Sequence, residues 1–119
     1  MFSPSPYPFP TRGRAVTVAS NTLTGGGALP TCFARVAGDI VADGNHCTHS
    51  GGQQPTGVFF QASTVTAATN RLTGGDTMIV IRVGEKSFAA VGNLAPGGTH
   101  LNNPGNGLPA PWAPLNPTV

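Results

Sequence analysis

The hydrophobic pattern of the chain has no sustained helical period, and its short apolar and β-branched runs are typical of β-strands. β-branched and apolar residues concentrate in four segments bounded by glycine, asparagine or proline, namely residues 15–20, 57–60, 63–69 and 77–83. The last segment is the strongest, and its stretch from Met78 to Ile81 is apolar at consecutive positions. Such a stretch predicts a strand that is buried on both faces or lies at an interface.

A tight turn is predicted directly after this strand. Gly84, within the sequence Val-Gly-Glu-Lys, occupies a position that favours a positive φ angle. The return strand is then expected over residues 87–91. We therefore expect an all-β fold that contains β-hairpins.

An internal repeat gives the expected organisation. VTVASNTLTGG (16–26) matches VTAATNRLTGG (65–75) at an offset of 49, with eight of the 11 residues identical. GDIVADGNH (38–46) aligns with GNLAPGGTH (92–100) at an offset of 54, which makes His46 equivalent to His100. The change of offset indicates an insertion, which the predicted hairpin supplies. The sequence therefore predicts two pseudo-repeated β-hairpin units, each ending in a glycine-rich turn and a histidine.

Proline-rich segments flank this region. We expect a proline-rich N-terminal arm over residues 1–13, a β domain over 14–103 and a proline-rich tail over 104–119, because proline is excluded from helix interiors and central strands. Trp112 is the expected anchor of the tail if the tail docks on the domain.

Composition narrows the function classes. Only 8% of the 119 residues are charged, against roughly 25% in an average globular protein, while 39% are hydrophobic, which argues against a disordered chain. The net charge of +2 is dispersed and predicts no nucleic-acid partner. The N-terminus lacks the pattern of a signal peptide, and no apolar run is long enough to span a membrane. A domain this small is expected to need a metal, a disulfide or an oligomer.

The candidate chemistry lies in GNHCTHSGG (44–52), which holds His46, Cys47 and His49. Imidazole and thiolate are preferred zinc ligands, and a closed tetrahedral site takes four of them. With His100 from the other repeat, the expected ligands are His46, His49, His100 and Cys47, and Cys32 is the alternative fourth ligand. Zinc is the expected ion, and iron is also compatible with imidazole. Solvated loop histidines with a buried Cys32, or a Cys32–Cys47 disulfide, remain as alternatives.

Enzymatic interpretations have little support in the sequence. A cysteine nucleophile needs a base and an orienting group, and no family motif surrounds Cys32 or Cys47. Four acidic residues make a catalytic carboxylate pair improbable. LTGGG (23–27) lacks the Gly-Lys-Ser/Thr of a phosphate-binding loop. We therefore expect a protein that is not an enzyme.

Residues 72–93, LTGGDTMIVIRVGEKSFAAVGN, resemble the unit of PAAR-repeat proteins. The unit has a Thr-Gly-Ser turn, a Thr-Val-rich strand, Asn-Gly-Lys at a hairpin and a closing Pro-Ala-Ala-Arg-Val-Gly-Asp. Here the corresponding segments are TGG (73–75), TMIVI (77–81), GEK (84–86) and FAAVGN (88–93), and FARVAGD (33–39) corresponds to the closing motif in the first copy. The resemblance covers about residues 20–101.

The resemblance implies a small cone-like protein that caps the trimeric central spike of a contractile phage tail or a type VI secretion-like machine. Histidines and a cysteine would bind zinc near the tip, in the loops that hold His46 and His100. The implied role is mechanical: the tip helps to pierce the target envelope and contacts it transiently. The implied location is the tail tip of a virion, or the outside of the cell after injection. The alternative is a virion decoration protein or a tail or baseplate adaptor without metal.

Overall fold

The computed structural model describes residues 15–26, 30–50, 56–74, 77–103 and 106–118. The predicted N-terminal arm, residues 1–13, lies outside the described residues. The described part contains nine strands: β1 (Ala15–Ala19), β2 (Thr22–Gly26), β3 (Cys32–Arg35), β4 (Asp39–Asp43), β5 (His46–Ser50), β6 (Thr56–Ala68), β7 (Arg71–Thr73), β8 (Met78–Val91) and β9 (Thr99–Leu101). A 3₁₀ turn spans Ala113–Leu115. Within this part of the chain, no helix is long and apolar enough to cross a membrane.

Every ladder between these strands is parallel. One sheet has the strand order β1-β4-β6-β8-β9, with β3 also paired to β6, and a second sheet has the order β2-β5-β7. Parallel neighbours need a crossover between them, and here the other strands of the same turn supply it. The chain therefore winds as a parallel β-helix, in which each coil stacks on the one before.

Each complete coil has three sides. The first face contains β3, the N-terminal parts of β6 and β8, and β9. The second face contains β1, β4 and the C-terminal parts of β6 and β8, and the third face contains β2, β5 and β7. The long strand β6 crosses from the first face to the second at Ser63, where its register with β8 shifts. Its inward positions change phase there, from Phe60 and Ala62 to Val65 and Ala67.

The core is formed by apolar side chains that point inward in columns along the stack. Val65 pairs in register with Ile40 below it, and Ile79 with Val58; all four are almost completely buried. Because the strands are parallel and in register, each inward residue packs on its equivalent in the next coil. Burying these columns is the main favourable contribution to stability.

The structural repeat is one coil of 23 to 25 residues, whereas the matching segments of the sequence are 49 residues apart. Val16 pairs with Ile40, and Ile40 pairs with Val65, so the two matching segments are two coils apart. The second alignment, at an offset of 54, is wrong. His46 pairs with Arg71, whereas His100 pairs with Val80 on another face, so the two histidines are not equivalent.

The all-β class is confirmed, but the predicted hairpin does not form. β8 is one continuous strand, and its two parts, residues 78–83 and 87–91, both pair parallel to β6, with a register shift between them where the turn was expected. Gly84 favours a turn, but no hairpin forms because each half of β8 pairs with β6 in the preceding coil. The prediction that the apolar run of this strand is buried on both sides is confirmed, because Ile79, Val80 and Ile81 are at most 1% exposed.

The C-terminal segment packs on the end of the β-helix. Trp112 packs against Phe88 with ring centroids 5.4 Å apart, which confirms its role as an anchor. Asn116 is buried, and Thr118 forms a parallel bridge with Ala95 on the third face. The tail thereby supplies part of a last coil in spite of its prolines.

Candidate functional site

The most regular feature of the described residues is a column of asparagines, four of them buried and the first half-buried, at the corner between the second and third faces. It consists of one asparagine per coil: Asn21, Asn45, Asn70, Asn93 and Asn116. Successive members are 24, 25, 23 and 23 residues apart. We call this column the asparagine ladder.

Each inner rung of the ladder satisfies its whole amide group. Asn70 Oδ1 accepts hydrogen bonds from Asn45 Nδ2 (2.8 Å) and from the Asn45 backbone N–H (3.2 Å). Asn70 Nδ2 donates to Asn93 Oδ1 (2.8 Å) and to the Ala42 carbonyl (3.1 Å). Because buried amides are costly unless they are bonded, this pattern makes asparagine the residue that fits the corner.

The turn before each of the first four rungs is left-handed. Ser20, Gly44, Thr69 and Gly92 have φ angles of 55°, 67°, 52° and 73°. Two of these positions carry side chains in a conformation that glycine adopts more easily. The turn geometry is thus imposed by the stacked coils and the ladder bonds, even where the local residue disfavours it.

The predicted metal ligands do not converge. His46 is exposed and points out of β5, whereas Cys47 and His49 point into the coil and are 1% exposed. Strand alternation therefore places His46 on the opposite side of the strand from the other two. The stretch that was expected to be a loop is a strand in the middle of the third face.

His100 lies still further away. It is on β9 of the first face, where it pairs with Val80, which in turn pairs with Phe59 above Phe33. Because β5 lies between β3 and β6 along the chain, two to three strand steps separate His100 from His46, or roughly 10 to 14 Å along the stack at ~4.8 Å per step. Its Nε2 atom is 2.7 Å from the Gly97 carbonyl oxygen, beside a cavity of about 380 Å³ at the C-terminal end.

The described residues therefore do not fit a tetrahedral zinc or iron site made from His46, His49, His100 and Cys47. Among them, no group of three or more histidines, cysteines or acidic residues is placed to hold a metal ion. A strand pattern in HCTHS, with alternate residues facing opposite ways, is the signal that could have separated His46 from Cys47 and His49.

The corner between the third and first faces brings other polar groups together. Thr31, just before β3, has its Oγ1 atom 2.9 Å from His49 Nδ1, and both residues are buried. Cys32 and Cys47 lie in the same coil beside this pair. A hydrogen bond between the two thiols, together with burial, raises the pKa of Cys32, and the same bond lowers the pKa of Cys47.

No family model, curated protein or solved structure matches the chain. The resemblance to PAAR-repeat units is therefore a prediction from the sequence.

The two ends of the described β-helix differ. At one end, β1, β2 and β3 each pair on one side only, and they lie on the second, third and first faces respectively. At the other end, Trp112 packs on Phe88 of the second face, and Thr118 bridges to Ala95 of the third. One end thus presents three strand edges among the described residues, and the other end is covered.

Proposed function

We propose that this chain is a non-enzymatic structural protein that caps the trimeric central spike of a contractile phage tail or secretion-like machine. Its location would be the tail tip of a virion or an injected spike. The observation that carries the proposal is the end where β1, β2 and β3, one on each face of the coil, each pair with only one strand among the described residues.

An edge strand is a template for pairing with another chain. Three edges around one axis suit a partner that offers three equivalent strands, which is what the blunt end of a trimeric β-structured spike provides. A single three-sided chain can in this way continue a threefold assembly. The half-buried inward residues of this end, Val16 and Leu23, would become covered on docking.

The covered end would face away from the spike and form the outward-pointing tip. Its last strand, β9, has only three residues, His100 of that strand bridges to Gly107, and the tail crosses the remaining coil. Stacked coils joined by the asparagine ladder resist bending and shear, since each coil is bonded to the next at every face. The proposed role is to keep the point stiff while it contacts the target envelope, and it needs no metal.

A binding experiment with end-specific variants tests this function. A purified trimeric spike protein from the same genome would be mixed with the chain, and the mass of the complex would be measured by light scattering. We expect one chain per trimer. Leu23→Asp, which puts a charge at the open end, should abolish the complex, whereas Leu115→Asp on the covered end, 45% exposed, should leave it intact.

A third variant separates the cap from a decoration or adaptor protein that binds through its side. Val41 is 40% exposed on the second face, away from both ends. If Val41→Asp abolishes binding and Leu23→Asp does not, the chain attaches sideways and the cap proposal is wrong. The proposal also fails if no complex forms with the trimer.

A further inference from the structure

Both cysteines of the chain lie in one coil and point into its interior. Cys32 is the first residue of β3 on the first face, and Cys47 is the second residue of β5 on the third face. They are 0% and 1% exposed, and both are free thiols. A structural role for the β-helix does not require either of them to be cysteine.

The backbone brings the two faces close at this height of the stack. Thr31, next to Cys32, bonds to His49, two residues after Cys47, at 2.9 Å. One coil further on, a Cβ atom at Gly57 would lie 2.7 Å from Leu72 Cδ1 and 3.3 Å from His49 Cβ. Val58 stacks on Cys32 and Leu72 stacks on Cys47. The residues around the thiols are therefore in contact across the interior.

We propose that Cys32 and Cys47 are a disulfide-forming modification site that staples the first face to the third face. The staple would join β5 to β3 across the interior of one coil, which the asparagine ladder does not bridge. It would close a loop whose ends are 15 residues apart, which is most of one coil.

The co-reactant is a low-molecular-weight disulfide such as oxidised glutathione. The Cys47 thiolate attacks one sulfur of the small disulfide, forms a mixed disulfide and releases one small thiolate. The Cys32 sulfur then attacks Cys47, and the second small thiolate leaves as the protein disulfide forms. The protein loses two protons and two electrons, and the small disulfide gains them and becomes two thiols. The buried thiols react during folding or during transient opening of this coil.

The test is oxidation of the native chain with oxidised glutathione, with and without a low concentration of urea that increases local opening. We expect loss of two hydrogen atoms by intact mass, faster reaction in urea, and one peptide pair joining Cys32 to Cys47 after digestion without reductant. The oxidised chain should melt about 10 °C higher than the reduced chain, as expected for a cross-linked loop of this length.

The Cys47→Ala variant is the control. It should show no rise in melting temperature with the oxidant, and Cys32 should then carry only a glutathione adduct or link two chains. The proposal is overturned if the wild-type chain also gives only adducts or intermolecular dimers. It is also overturned if the intramolecular bond forms but lowers the melting temperature, because the site would then be strained rather than built for the bond.

Discussion

Two corners of the same coil are held by different means. The corner between the second and third faces repeats one residue, asparagine, in five successive turns, and each inner rung makes the same four bonds. The corner between the third and first faces holds one buried pair of bonded side chains among the described residues, Thr31 and His49, with two thiols beside it. The asparagine bonds recur from coil to coil along the stack, whereas the Thr31–His49 bond is made within one coil.

This difference explains why the clustering of His46, Cys47 and His49 in the sequence did not predict their arrangement in the fold. A feature that stacks must recur once per coil, and asparagine does so. His46, Cys47 and His49 occur together only once, on one strand, where His46 points outward and the other two point inward. Recurrence at a fixed period is therefore better evidence of a shared structural position than local density of reactive side chains.

Breaking an inner rung of the ladder should have the largest effect. Asn70→Ala leaves Asn45 and Asn93 without their shared partner in a buried corner, so we expect a loss of about 4 kcal/mol in the free energy of unfolding. Urea denaturation measures it. Asn21→Ala is the matched control, since Asn21 is a half-buried end rung, and it should cost about 1 kcal/mol. Equal losses at the two positions would show that the ladder does not act through stacking.

Removing the Thr31 hydroxyl, at the corner between the third and first faces, should reduce the free energy of unfolding by an intermediate amount. Thr31→Val leaves the buried Nδ1 atom of His49 without its partner, and we expect a loss of about 2 kcal/mol. The double variant Thr31→Val with His49→Leu removes both polar partners and should recover at least half of that loss. Thr48→Val, which breaks a half-buried bond to Thr73, should cost less than about 1 kcal/mol. If the double variant is less stable than Thr31→Val, the corner depends on the imidazole itself.

Substitutions in the left-handed turns before the asparagines should change the free energy of unfolding least, and one of them should increase it. Ser20 is exposed with φ 55°, a left-handed conformation, so Ser20→Gly should stabilise the chain by about 0.5 kcal/mol. Gly44→Ala, at the equivalent turn of the next coil with φ 67°, should destabilise it by about 1 kcal/mol. A calorimetric melting comparison of the two variants checks the signs. Destabilisation by Ser20→Gly would mean that the serine side chain contributes to the turn.

The sequence allowed the strand class, the doubly buried strand and the Trp112 anchor to be predicted, because these depend on local alternation and on single large side chains. The coil was missed because alternation does not distinguish a hairpin from a parallel strand. Gly84 favoured a turn, and only the partners of β8 in the preceding coil decide otherwise. The 49-residue match was real, but Ile40 lies between its two halves in register, and its segment shares few residues with them.

The candidate sites were less predictable for the same reason. The signal for the asparagine ladder was present, as five asparagines spaced 23 to 25 residues apart. Its meaning depends on stacking, which the sequence does not state. The contact of Thr31 with His49 joins two strands of one coil and has no sequence period that could reveal it.

The central claim is that stacked coils joined by buried asparagines organise this chain, and hydrogen exchange of the asparagine side chains tests it most directly. In a nuclear magnetic resonance experiment in deuterated water, we expect the Nδ2 protons of Asn45, Asn70 and Asn93 to exchange on the order of 10³-fold more slowly than those of exposed Asn103. Protection of this size is expected because these protons are released only when the coils separate. Exchange of all four side chains at the same rate would contradict the asparagine ladder and the β-helix built on it.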